Sequence, residues 1–132
     1  MSDSELDRIL AEKSRRLVVE HAAAHGQVME LTEVNFEKHV SGPRLTLVDF
    51  WAVWCGPCKT MEPVISRLAA KLGASVNFGK LNVDEQPRIA TRYEVQSIPT
   101  FMLFKNGRPV DAIIGTMQEA ALEQRIRKAA GV

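Results

Sequence analysis

The 132-residue chain has only two cysteines, Cys55 and Cys58, which excludes the multi-bridge scaffold that stabilises many small secreted domains. It has no long hydrophobic run. The longest stretch free of Asp, Glu, Lys and Arg is ten residues, 95–104, about half of the roughly 20 that a membrane-spanning helix needs. Neither sign of charge is in excess: 17 basic residues stand against 16 acidic ones, a net charge of +1. Such a balance offers no bulk field to a nucleic acid or an anionic membrane, and neither is expected as a partner. The start, Met1-Ser2-Asp3-Ser4-Glu5-Leu6-Asp7, is acidic and unlike the basic, apolar opening of a secretory signal. A cytoplasmic location is the expectation. In a reducing compartment, two cysteines spaced as Cys-x-x-Cys point to redox or metal chemistry rather than a structural cross-link.

What is present is an ordinary globular composition, 45% apolar and 25% charged, in a length that suits one compact domain. Residues 2–25 have helical periodicity. Ser2 and Glu5 have capping-box spacing, Leu6, Leu10 and Leu17 share a face flanked by Ile9 and Val18, Lys13 interrupts that stripe, and Gly26 is a stop. A short strand is predicted over 28–31, then a helix capped by Thr32 and running to about Val40, broken by Ser41-Gly42-Pro43. Residues 45–51 form a nearly continuous apolar run, the signature of a strand buried on both faces, with Asp49 as the exception. After the cysteines, Met61, Ile65, Leu68 and Leu72 repeat at helical spacing up to Gly73, and Pro63 is expected to kink that helix.

A strand follows over 76–83, then a short helix opened by Gln86-Pro87 and ending near Tyr93. The strand–helix–strand order implies two parallel strands joined by a crossover. The last third changes character. Residues 100–105 and 109–114 flank Asn106-Gly107, the strongest short hairpin signal, and Met117, Leu122, Ile126 and Ala129 suit a closing helix. The sum is an α/β domain: a mixed sheet of about five strands with helices on both faces.

The cysteine pair falls where a buried strand hands over to a helix. A helix N-terminus carries unpaired N–H groups and about half a positive charge, which favour a thiolate at Cys55 and lower its pKa. Helical i, i+3 spacing brings the two Cα atoms to roughly 5–6 Å, within disulfide range. Pro57 restrains the first helical positions, where its missing donor is harmless. A zinc site needs two further ligands, and there is no third cysteine. His21, His25 and His39 all precede the pair and none has finger spacing, although His21 and His25 stand i, i+4 apart.

The run Val48-Asp49-Phe50-Trp51-Ala52-Val53-Trp54-Cys55-Gly56-Pro57-Cys58-Lys59 resembles the active-site signature of the thioredoxin family. Lys80-Leu81-Asn82-Val83-Asp84, Ser97-Ile98-Pro99-Thr100 and Gly115 extend the resemblance over residues 27–132. Residues 1–26 depart from it and read as an N-terminal helical extension to the domain. Thioredoxin is itself the reference case for a lowered Cys-x-x-Cys pKa, so that property is a family expectation and not a result obtained from this chain.

The resemblance implies a thioredoxin fold and a dithiol–disulfide oxidoreductase that reduces protein disulfides. Cys55 would attack and Cys58, the less exposed of the two, would resolve the mixed disulfide. Asp49 would lie behind Cys58 and assist its deprotonation, with Lys80 and Trp51 beside it. Pro99 would be a cis-proline facing the pair. Ile98, Pro99, Trp54, Gly56, Pro57, Ile114 and Gly115 would form the surface that receives substrate. Implied partners are disulfide-containing proteins and a thioredoxin reductase as electron donor, which places the chain in electron transport and cell redox homeostasis. The Cys55–Cys58 dithiol carries the electrons, so no bound cofactor is implied. Two alternatives stay open on the residues: a binding or scaffold module that uses the N-terminal helix, and a metal-bridged dimer sharing one ion through both cysteine pairs.

Overall fold

The computed structural model describes residues 27–132. The helix expected over 2–25, and the boundary after residue 26, lie outside the described residues. Five strands form one mixed sheet: β1 (Val28–Glu30), β2 (Thr46–Trp51), β3 (Asn77–Asn82), β4 (Thr100–Lys105) and β5 (Arg108–Ile114). Their order is β1-β3-β2-β4-β5. The first three are mutually parallel, and β4 and β5 run antiparallel. The helices are α1 (Phe36–Val40), α2 (Gly56–Leu72), α3 (Pro87–Arg92) and α4 (Glu119–Ala130).

Strand alternation divides the core in two. Leu47, Phe78, Phe101, Leu103 and Ile113 face α2 and α4 and pack with Met61, Ile65, Leu68, Leu122 and Ile126. The other face carries Val48, Phe50, Leu81, Met102 and Phe104 and packs with Phe36, Val40 and Ile89 of α1 and α3. Asp49 and Trp51 continue the row begun by Leu47, so they lie beneath the first turns of α2. Parallel register places Asp49 beside Lys80 on β3.

One expectation is corrected. Thr32 does not cap α1; the helix begins four residues later with Asn35 as its N-cap residue. The Thr32 N–H donates to Asn35 Oδ1 at 2.7 Å and Thr32 Oγ1 accepts from the Val34 N–H at 3.1 Å, so its polar groups close a local turn instead. The helix that carries Pro63 runs as a single element, Gly56–Leu72, with Pro63 inside it. Lys59, whose carbonyl loses a donor there, is exposed. The hairpin forms as predicted. Asn106 (φ 55°) and Gly107 (φ 81°) are both left-handed, and their N–H groups donate to Gly42 and Val40 carbonyls at 2.8 and 2.9 Å.

Gly79 in β3 packs tightly against Leu31 of the second core. A Cβ there would lie 2.6 Å from Leu31 Cδ1 and 2.9 Å from its Cγ, and Leu31 is fully enclosed. Gly79→Ala should therefore destabilise the domain by about 1–3 kcal/mol through overpacking. Urea unfolding of the two proteins checks this, with equal midpoints as the contrary result.

Candidate active site

Strand β2 ends at Trp51, and residues 52–55 turn the chain into α2. Cys55 is the N-cap residue of α2, in extended conformation, with Gly56 and Pro57 opening the helix. Its Sγ accepts the Cys58 backbone N–H at 3.1 Å. Here a sulfur takes the place of the usual capping oxygen, satisfying one of the helix's free donors. The two cysteines are joined as a disulfide, with Cα atoms 5.3 Å apart, in the range that the i, i+3 spacing predicts.

The expected inequality in their burial is absent: both residues are 3% exposed. In the closed pair, each packs with Ala52 against Trp51, Val83 and Ile98. Whatever distinguishes the two sulfurs must therefore be the helix end and the groups behind Cys58, not simple exposure.

Trp54 is 69% exposed, and its indole N–H donates to Asp84 Oδ2 at 2.8 Å. Ile98 is half-buried against the cysteines, and the Ile98–Pro99 peptide is cis. The Pro99 carbonyl accepts the Gly115 N–H at 2.8 Å, which ties the loop before β4 to the end of β5. Gly115 has φ 94°, a conformation that other residues adopt only with strain. Ile114 beside it is 69% exposed. Gly56 and Pro57 are also exposed, and a Cβ on Gly56 would meet no atom of the chain within 4 Å. Trp54, Gly56, Pro57 and Ile114 thus present exposed surface, while Ile98 and Pro99 lie deeper.

Behind Cys58 is a polar pocket. Asp49 is 6% exposed and its Oδ1 has no hydrogen-bond partner. Burial raises its pKa to about 7; the Lys80 charge opposes that rise and the Glu62 charge adds to it. Lys80 Nζ stands 5.2 Å from the centroid of the Trp51 ring, a cation–π arrangement. A cavity of about 20 Å³ is lined by Asp49, Trp51, Cys58, Lys59, Glu62 and Lys80. That volume accommodates one water molecule, and its walls supply polar partners.

Sequence reasoning missed Glu62 and Asp84. Glu62 was open to discovery, because i, i+4 spacing puts it on the same helix face as Cys58. Nothing local ties Asp84 to Trp54, 30 residues before it. Among the described residues no three His, Cys, Asp or Glu side chains are grouped to hold a metal ion. No helix among them is long and apolar enough to cross a membrane.

Comparison with known proteins agrees with this geometry. The thioredoxin family model matches residues 27–128. A thioredoxin of Alicyclobacillus acidocaldarius is 45% identical over 98 residues, covering 74% of this chain and 93% of that one. A thioredoxin of Staphylococcus saprophyticus is 43% identical over 101 residues, covering 76% and 96%. Among solved structures, a thioredoxin of Malassezia sympodialis superposes with a TM-score of 0.75 at 34% identity, covering 80% of this chain and 92% of that one. A mutant thioredoxin from Halobacterium salinarum gives 0.76 at 30% identity, covering 82% and 95%. With its cysteine pair at disulfide distance on this fold, the chain belongs to the thioredoxin family and is a thiol–disulfide oxidoreductase that reduces protein disulfides.

Proposed function

We propose that Cys55 is the attacking sulfur and Cys58 the resolving one. The observation that carries this is the Cys58 N–H directed at Cys55 Sγ, 3.1 Å away at the start of a 17-residue helix. In the reduced protein the same donor and the helix dipole favour negative charge on Cys55. The Cys55 thiolate displaces one sulfur of a target disulfide and forms a mixed disulfide. Cys58, deprotonated by the Asp49 carboxylate across the small cavity, then attacks Cys55 and releases the target as a dithiol. Lys80 holds Asp49 in its ionised form part of the time, and Trp51 supports Lys80.

The substrate segment is received on Trp54, Gly56, Pro57, Ile98, Pro99, Ile114 and Gly115. Open space above Gly56 lets a second chain come close to the sulfurs. Trp54 is held for that contact by Asp84. The electrons reside in the Cys55–Cys58 dithiol, with no bound cofactor, and a thioredoxin reductase restores it. In this role the chain serves electron transport and redox homeostasis in the cytoplasm.

Alkylation of the reduced protein by iodoacetamide tests the assignment. Cys55 should react first and at lower pH than an ordinary thiol, as the family expectation of a lowered pKa implies. Equal, slow reaction of both thiols until about pH 8.5 would falsify it.

A further inference from the structure

Glu62 has no part in the scheme above. It sits one helical turn beyond Cys58 on α2, so the two side chains leave the helix on one face. That face meets Asp49 of β2 and Lys80 of β3, neighbours in register. All four residues line the cavity of about 20 Å³ that has room for one water. The two carboxyl groups differ in a way that gives the cavity a direction. Asp49 is buried, with an oxygen that no protein group satisfies, whereas Glu62 is exposed. A proton accepted by Asp49 must return to solvent before the next turnover, and Glu62 is the carboxylate on the way out.

We propose that Glu62 is a positioning residue for the resolving step, the solvent-side member of a two-carboxyl proton path running from Cys58 through the cavity and Asp49 to bulk water. The inference rests on the assignment of Cys55 and Cys58 made above. In the mixed disulfide, the Cys58 thiol proton passes through a cavity water to the Asp49 carboxylate. The Cys58 thiolate attacks Cys55 Sγ. The Cys55–Cys58 bond forms and the bond to the target breaks. Its electron pair leaves on the target sulfur, which takes a proton from solvent. Asp49 then returns its proton to water by way of Glu62, and no outside oxidant or reductant enters.

The charged groups facing Asp49 oppose one another. Lys80 from β3 favours the ionised carboxylate and Glu62 from α2 the protonated form, while Lys59 and the Cys58 thiol also face the cavity from α2. A glutamate in this place keeps Asp49 a stronger base than Lys80 alone would leave it.

Stopped-flow reaction of the reduced full chain with a fluorescent peptide disulfide, at pH 6–9, separates mixed-disulfide formation from its resolution. With Glu62→Gln, formation should be unchanged and resolution should slow about threefold to tenfold, with its pH midpoint moved down. Glu62→Asp should recover most of the rate. In an Asp49→Asn background Glu62→Gln should add nothing, as for a residue that acts through another. Unchanged resolution in Glu62→Gln, or equal slowing with and without Asp49, overturns the proposal alone. If wild type forms no mixed disulfide, the Cys55 assignment fails and this inference fails with it.

Discussion

Cys58→Ser should convert the enzyme from a catalyst into a trap. Cys55 keeps the backbone donor that stabilises its thiolate, because that donor is the N–H of residue 58 and does not depend on its side chain. Attack on a target disulfide therefore proceeds. Release does not, since the serine hydroxyl forms no disulfide. In the native protein the second sulfur is held next to the first, with Cα atoms 5.3 Å apart. Well-oriented intramolecular partners have effective concentrations of about 10⁵ M or more, against millimolar thiols in solution. Steady-state reduction of insulin should accordingly fall by at least about 10³-fold. One equivalent of target should accumulate on Cys55, visible by mass spectrometry after denaturation without reductant. Cys55→Ser should lose turnover as fully and collect no adduct. An adduct on Cys58 in the Cys55→Ser protein would reverse the two roles. Near-normal turnover by Cys58→Ser would remove the resolving step altogether.

Local chemistry accounts for what was legible in the sequence. The Asn106-Gly107 turn needs only two adjacent residues that tolerate positive φ, and the spans on either side of it follow from the hairpin. The spacing of Cys55 and Cys58 sets their separation once a helix starts there. Trp54, which the resemblance places on the receiving surface, is exposed; Trp51, the last residue of β2, is half-buried beneath α2.

Harder to read were relations set by register between distant segments. Asp49 and Lys80 are neighbours because β2 and β3 pair in parallel, 31 residues apart, and only resemblance to a family placed them together beforehand. Glu62 joins them because a helix crosses above two strands, and the cavity belongs to all three elements. The near-equal burial of the cysteines arises in the same way, from the packing of Ala52, Val83 and Ile98 around the closed disulfide. At Thr32 two local options competed, and the turn closed by Asn35 prevailed over a cap.

Asp49 should make the protein less stable as the solution becomes more alkaline. Its carboxyl carries a pKa of about 7 in the folded protein against 3.8 for an ordinary aspartate, because burial penalises the ion more than Lys80 favours it. The folded state thus binds the proton more tightly than the unfolded state does. For this group, stability is fully present below about pH 4 and is lost progressively as pH rises through about 7. The difference between the two values corresponds to about 4 kcal/mol in total, more than half of which falls between pH 5 and pH 8.5.

Asp49→Asn keeps the shape and removes the titration. Oxidised wild type and variant should have similar unfolding free energies below about pH 4, and the variant's advantage should grow by about 2–3 kcal/mol between pH 5 and pH 8.5. In a domain of this size that is about 10 °C in the thermal midpoint. Parallel pH curves for the two proteins would mean that Asp49 stays ionised throughout, held by Lys80. The resolving thiol would then face a weak base at every pH. The destabilising burial and the proposed catalysis are thus one property, since the low-dielectric setting that costs stability above neutrality is also what makes Asp49 basic enough to take a proton from Cys58.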